Sequence, residues 1–332
     1  MNRNNSSLIT HHSSLKSVNW LVTSGGAKVD LVRRMRAALS PHGLRLFACD
    51  MSPDSAAFHF SDGAFLVPRS SDSDYLDVLL AACRERGIGV ILPSRDEDLL
   101  CLVRCRESLA AAGIGVLASP LPTLEICLDK IRFHEHCLAH DLPVLPRNDR
   151  PSRADFPLFA RRRRGAGGSS AAVVHSPEAL RALCGEPPWA DVLLQPLCDD
   201  PEYSIDLLCG PDGSPVQWLV RERLRVRAGE STVSRTVEIP ALDALITTLA
   251  RSLHFFGPVT VQAFYSERGG ARLIEANPRF GGASALSIEA GLDTPRRLVA
   301  WARGDYDDFV RPRTLRYGLK MLRYSQDLFC EE

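Results

Sequence analysis

The 332-residue chain has no net charge to speak of: forty Lys and Arg balance forty Asp and Glu. That balance excludes a global field that would gather nucleic acid or an anionic membrane. No apolar run approaches the roughly 18–20 residues of a membrane span. The opening MNRNNSSLITHHSSLKS is polar and lacks the apolar core of a secretory signal. Residues 1–16 read as a disordered tail in which His11 and His12 are solvated. Ten cysteines include no CxxC pair, so neither a zinc ribbon nor a disulfide framework is indicated. Cys101 and Cys105, four apart on an expected helix, read as small core residues. Thiols without a secretion signal point to a reducing, cytoplasmic setting. Two nucleotide signatures are missing as well. SGGAKVD after the first strand is not a full GxGxxG, and GAGGSS is not the P-loop GxxxxGK[ST]. A nicotinamide-dependent oxidoreductase would therefore rest on the N-terminal strands alone.

What remains is ordinary globular composition, 45% hydrophobic and 24% charged, at a length for two or three domains. From VNWLVTS to GIGVLAS the chain alternates apolar strands with helical patterns, which predicts a parallel sheet covered on both faces. DEDLLCLVRCRESLAAAG reads as one helix with acids in its first turn, where the macrodipole favours them. After Pro120 two short helices are expected in LPTLEICLDKIRFHEHCLAHDLPVLP. FPLFARRRRGAGGSSAAVVHS then reads as a strand, a glycine loop and a second strand. The second half is antiparallel α+β: strands DVLLQPL, EYSIDLLCG and PVQWLVRERL, a helix ALDALITTLARSLHFF, the hairpin PVTVQAFY-SERGG-ARLIEANP, and helices to the end.

RLIEANPRFGGAS, residues 272–284, begins like a buried strand yet carries Glu275, Asn277 and Arg279 at every second position. Alternate residues of a strand share a face, so Glu275 and Asn277 point one way and Ile274 and Ala276 the other. A turn centred between Arg268 and Gly269 sets Gln262 directly opposite Glu275. Opposed residues have Cβ atoms about 4.5–5.5 Å apart, which gathers oxygens suited to Mg²⁺. A polar, solvent-facing sheet surface explains the spacing equally well. Arg161 to Arg164 run into GAGGSS, whose backbone amides can approach an anion. Alternation sends Arg161 and Arg163 to one side. Arg221, Arg223 and Arg225, one strand period apart, suit carboxylate recognition or simply a charged outer face.

The order of these motifs resembles the ATP-grasp superfamily, and within it the synthetase half of the carbamoyl phosphate synthetase large subunit and its single-unit relatives. LDKIRFHEHCLAHDLPVLP, FPLFARRRRGAGGSS, LLQPLCDDPEYSIDLL, RVRAGES, PVTVQAF and LIEANPRFGGAS occur in the family's order. The resemblance runs from about Val18 to about Gly304. It implies an α/β pre-ATP-grasp, Rossmann-like domain over residues 17–120. An ATP-grasp lid with linker helices would follow over 121–192, and an α+β ATP-grasp subdomain with the metal and nucleotide sites over 193–332.

By the same resemblance, Lys130 and Arg161 contact nucleotide phosphates, and Gly165, Gly167, Gly168 and Ser169 form the loop that closes over them. Gln195, Pro196 and Leu197 lie beside adenine, Glu202 holds the ribose hydroxyls, and Arg227 contacts a phosphate. Gln262, Glu275 and Asn277 would bind Mg²⁺ or Mn²⁺, while Arg279 and Arg161 steady the transferred phosphoryl group. Two positions depart from the pattern: Pro196 stands where relatives often have an acid, and Gln262 where many have a second carboxylate. The expected activity is ligation of a small carboxylate to an amine with ATP, through an acyl-phosphate. The alternative is a nucleotide-binding subunit of a split synthetase, inactive alone. Neither nucleic acid nor membrane is an expected partner; a homodimer or a partner subunit is compatible. One unit alone does not suffice for carbamoyl phosphate synthesis.

Overall fold

The computed structural model describes residues 17–26, 28–165 and 171–331. The expected tail, residues 1–16, lies outside them, as do Gly167, Gly168 and Ser169.

Among the described residues five strands and four α-helices build the first domain: β1 (Asn19–Thr23), α1 (Val29–Leu39), β2 (Leu46–Asp50), β3 (Gly63–Leu66), α2 (Tyr75–Arg86), β4 (Ile88–Pro93), α3 (Asp96–Arg104), α4 (Arg106–Ala111) and β5 (Gly115–Val116). The strands pair in parallel in the order β3-β2-β1-β4-β5, as the alternating pattern predicts. Trp20, Leu21 and Val22 are all buried because helices cover both faces. The strand order reverses between β1 and β4, a switch point whose crevice opens at the carboxyl ends of the strands. The single helix expected after β4 is two, since Cys105 leaves helical geometry at φ −93° and ψ 12°.

α5 (Leu121–Cys127) and α6 (Lys130–Ala139) follow, as expected. Asp129 starts α6 by accepting from the amides of Ile131 and Arg132 at 3.2 and 3.1 Å, an N-cap. β6 (Leu158–Arg162) and β7 (Ala171–Val174) are the expected antiparallel pair. After α7 (Pro177–Cys184), β8 (Val192–Pro196) adds to β6, giving a three-stranded sheet that runs past residue 192.

The remaining elements are β9 (Glu202–Cys209), β10 (Pro215–Arg227), β11 (Glu230–Val237), α8 (Asp243–Leu253), β12 (Gly257–Ser266), β13 (Gly270–Asn277), α9 (Ser284–Ser287), α10 (Thr294–Arg303), α11 (Tyr306–Val310) and β14 (Lys320–Leu322). Their strands form an antiparallel sheet in the order β13-β12-β9-β10-β11-β14. The chain thus does not stay helical to its end: β14 pairs with the outer edge of β11. β11, ESTVSRTV, is polar enough to escape notice as a strand.

One face of this sheet, with Ile205, Leu207, Val259, Val261 and Ala276, buries itself against Phe133 of α6 and Ile246 and Leu249 of α8. A second core joins the two halves of the chain: Trp20, Val32 and Met35 pack with Phe256, Leu298, Val299 and Trp301. That shared core sets the turn after β1 against the segment after β13. All ten cysteines are free thiols. Among the described residues no helix is long and apolar enough to cross a membrane.

Candidate active site

The face of the large sheet turned away from the α6/α8 core carries Ser204 and Asp206 on β9 and Thr260 and Gln262 on β12, paired across the strands. Gln262 lies opposite Glu275, as expected, but by a different route. The turn closes at Ser266 and Gly270, centred on Arg268, and a bulge at Ile274 restores the register. Leu273 and Ala276 are therefore the buried pair, where simple alternation assigns Ile274 and Ala276. The skipped residue turns its carbonyl towards Arg161, whose two terminal nitrogens lie 3.4 and 3.3 Å from it.

Around Glu275 the expected residues converge. Asn277 Nδ2 donates to Glu275 Oε1 at 3.1 Å. The Gln262 amide, turned so that both its ends are satisfied, donates to the same oxygen at 2.7 Å and accepts from Arg223. Arg161 Nη1 stands 3.7 Å from Glu275 Oε2 and Nη2 donates to Gln195 Oε1 at 2.9 Å. Gln195 in turn donates to the Leu145 carbonyl at 3.0 Å. Arg161 is only 6% exposed; burial pulls its pKa down, with Glu275 and Glu202 opposing. Arg223 Nε lies 3.3 Å from Glu202 Oε1, and burial raises the Glu202 pKa against the pull of Arg223. A continuous polar chain thus runs from Gln195 through Glu275 to Glu202.

Lys130, the first residue of α6, donates from Nζ to the Gly165 carbonyl at 2.8 Å. Burial lowers its pKa, and Glu275 counters this. Gly165 has φ +125°, where a side chain would be strained. Pro196 ends β8 and Leu197 is exposed beyond it.

Two expectations need correction. Arg163 does not stand beside Arg161 as a second bare cation: its Nε donates to Asp129 Oδ2 at 2.7 Å, tying it to the cap of α6. Arg221, Arg223 and Arg225 do not act as one face. Arg221 is buried and bound to both oxygens of Asp206 at 2.6 and 3.2 Å, and a register shift after Arg223 leaves Arg225 exposed. Arg227 sits exposed at the β10–β11 hairpin end, opposite Glu230. No hydrogen bond or ion pair joins it to the Glu275 cluster among the described residues.

Arg279 reaches instead across the domain boundary. Its Nε and Nη2 donate to the two oxygens of Asp96 at 2.5 and 3.0 Å, and Nη2 lies 3.5 Å from Asn277 Oδ1. Burial alone would lower the Arg279 pKa, but the Asp96 carboxylate raises it. In the sequence Asp96 is only a first-turn helix acid, and nothing in its spacing points to residue 279.

The segment bearing Arg279 is anchored by Asp206. That carboxylate accepts from Thr260 at 2.8 Å, Ser284 at 2.9 Å and Ser287 at 2.6 Å. Burial would raise the Asp206 pKa, but Arg221 and the hydroxyls hold it below the ordinary carboxylate range. Ser284 also accepts from the Gly281 amide at 2.8 Å. A Cβ at Gly281 would fall 2.7 Å from Thr260 Oγ1, so only glycine permits this approach.

Comparison with known proteins agrees with this architecture. Residues 20–117 match the PylC-like N-terminal domain family, and residues 189–324 match the family described as ATP-grasp in the biosynthetic pathway with Ter operon. The biotin carboxylase domain of Hydrogenobacter thermophilus 2-oxoglutarate carboxylase superposes with a TM-score of 0.71 at 16% identity, over 92% of this chain and 73% of that one. N5-carboxyaminoimidazole synthetase from Staphylococcus aureus gives 0.67 at 14% identity, over 90% and 80%. L-amino acid ligase from Bacillus licheniformis gives 0.67 at 16%, over 90% and 78%. Acetyl-CoA carboxylase 1 of Oryza sativa subsp. japonica is 26% identical over 137 residues, 37% of this chain and 6% of that far longer protein. The fold is thus that of ATP-grasp structures: a parallel-sheet segment that matches a PylC-like N-terminal domain leads into antiparallel sheets, of which residues 189–324 match an ATP-grasp family.

Proposed function

We propose that the protein is an ATP-dependent carboxylate–amine ligase that activates its acid as an acyl-phosphate. The observation that carries this reading is the convergence of Gln262, Glu275 and Asn277 on one patch, with Arg161 at 3.7 Å from the carboxylate. Solved structures of similar fold are described with MgADP and bicarbonate, with ADP, or as an L-amino acid ligase. The donor set fits a hard cation: a carboxylate and two amides, each of which offers an oxygen when its side chain turns. Mg²⁺ held by Glu275, Gln262 and Asn277 would supply charge neutralisation on the nucleotide phosphates.

The chain's own residues would do the rest by positioning and charge, as in other phosphoryl transfers. Arg161, locked by Gln195 and the Ile274 carbonyl, presents a fixed cation to a phosphate. Lys130 adds a second beside Gly165. Glu202 is proposed to accept hydrogen bonds from sugar hydroxyls, and Arg227 on its exposed hairpin to reach a phosphate. A carboxylate oxygen attacks the γ-phosphorus and ADP departs. An amine then bonds to the acyl carbon, the C–O bond to phosphate breaks, and the amine proton leaves with phosphate or to solvent. Arg279 steadies the acyl-phosphate.

ADP release by the purified chain, with Mg²⁺, ATP and a panel of acids and amines, tests the reading. Turnover with one defined pair is expected. Nucleotide binding without turnover until another protein is added would replace it with the subunit reading.

A further inference from the structure

The large sheet ends on β14, whose outer edge meets no further strand among the described residues. Leu319, Met321 and Arg323 face β11. Leu319 accepts from the Thr236 amide at 2.9 Å, Met321 lies opposite Ser234, and Arg323 donates to the Thr232 carbonyl at 2.9 Å. Hydrogen bonding alternates along an antiparallel pair, so Lys320, Leu322 and Tyr324 turn their amides and carbonyls outwards. Such a row is a template for another strand, and proteins usually guard it with charge or proline. Of the outward positions only Lys320 is charged. Leu322 and Tyr324 follow it on the same face, 67% and 79% exposed.

The charges around this edge select what can lie against it. Arg235, opposite Lys320, donates to Glu222 at 2.6 Å, and Arg323 on the other face donates to Glu230 and to the Gly282 carbonyl. Asp327 and Glu331, both exposed, follow beyond the strand. Lys320 has no ion-pair partner among the described residues. A two-fold axis normal to the sheet sets two copies of β14 antiparallel, and its position decides which residues meet. Through Lys320 it opposes two ammoniums, and through Arg323 two guanidiniums; like charges directly opposite are destabilising. Through Met321 it leaves Tyr324 opposite Gly318, with no side chain to pack on. Through Tyr324 it carries the pairing onto Gln326 and Leu328, which pair with no strand. Through Leu322 every outward residue finds a suitable neighbour. Leu322 meets the partner's Leu322, and Lys320 meets the partner's Tyr324, an ammonium beside an aromatic ring.

We propose that this edge is the interface between two copies of the chain, a two-fold pairing of β14 centred on Leu322 that continues the six-stranded sheet from one copy into the other. So short a pairing buries less than a standard protein interface, and the dimer is therefore a reversible one. Leu322 and Tyr324 lie on the face opposite Arg323, so substituting them spares the contacts that Arg323 makes with Glu230 and Gly282.

The test is sedimentation equilibrium of the full chain over a concentration series, for wild type, Tyr324→Lys, Tyr324→Glu and Leu322→Pro. A reducing buffer keeps the exposed Cys330 from linking copies. Wild type should show a reversible monomer–dimer equilibrium. Tyr324→Lys sets ammonium against ammonium twice across the axis and should raise Kd roughly 2- to 30-fold. Tyr324→Glu, equally polar, faces the partner's Lys320 and should bind as tightly as wild type or more so. Leu322→Pro removes an outward amide, which an edge strand tolerates, and should abolish the dimer while circular dichroism and melting stay as in wild type. If that variant fails to fold, the two Tyr324 variants decide. A wild type that is monomeric throughout overturns the proposal. So does a dimer that a folded Leu322→Pro leaves intact, or an equal loss in Tyr324→Lys and Tyr324→Glu.

Discussion

The guanidinium of Arg161 faces the carbonyl of Ile274, 113 positions away, at 3.3 and 3.4 Å. It can do so only because Ile274 is a bulge residue, whose carbonyl has left the ladder with β12. One irregularity in β13 thus ties β6 to the hairpin that carries Glu275.

Arg161→Lys keeps the charge but loses the planar fork. ADP release should fall at least tenfold, with weaker nucleotide binding by calorimetry. Arg161→Ala should also cost about 1–3 kcal/mol in urea unfolding, because Gln195 Oε1 and the Ile274 carbonyl lose a buried donor. Full activity in Arg161→Lys would show that charge alone suffices there.

The contact between Arg279 and Asp96 predicts coupling between the two halves of the chain. Asp96→Asn should lower turnover although Asp96 touches no expected nucleotide group, and a double-mutant cycle with Arg279→Ala should show an interaction of about 0.5–3 kcal/mol. Additive effects on kcat/KM would show that the pair is independent of the chemistry.

Asp206 makes a stability prediction with a definite sign. Its pKa is depressed in the folded protein, so its contribution is complete above the unfolded carboxylate pKa of about 3.9 and fades as pH falls below it. Asp206→Asn leaves Arg221 buried without its countercharge and should cost about 3–5 kcal/mol at neutral pH. The gap to wild type in chemical unfolding should be flat above pH 5 and shrink in acid. A gap that widens in acid would contradict the assignment.

Much of this could be read in the sequence, for physical reasons that differ by region. The parallel sheet showed because Trp20–Val22 and Ile88–Leu92 are continuous apolar runs flanked by helical periods. The Gln262–Glu275 pairing was legible from alternation, although two departures cancelled to give it: a turn centre half a residue earlier and a bulge that adds one back. Alternation cannot show a bulge, so Ile274 was assigned to the wrong face. The helix break at Cys105 carries no Gly or Pro signal, and β11 is too polar for alternation to mark it although Gly229 precedes it. Asp96 escaped because its partner Arg279 lies 183 positions away and meets it only through tertiary packing. The tie between Arg163 and Asp129 escaped likewise, since a run of four arginines does not say which is already neutralised.

The central claim is that Glu275, with Gln262 and Asn277, binds the divalent ion that carries ATP. Its most direct test is calorimetric titration of AMP-PNP, with and without Mg²⁺, into wild type and Glu275→Ala, with circular dichroism to confirm the fold. Wild type should bind tightly only with Mg²⁺, and Glu275→Ala, still folded, should lose that gain and release no ADP from ATP. A variant that keeps Mg²⁺-dependent affinity and turnover would place the ion elsewhere and contradict the account.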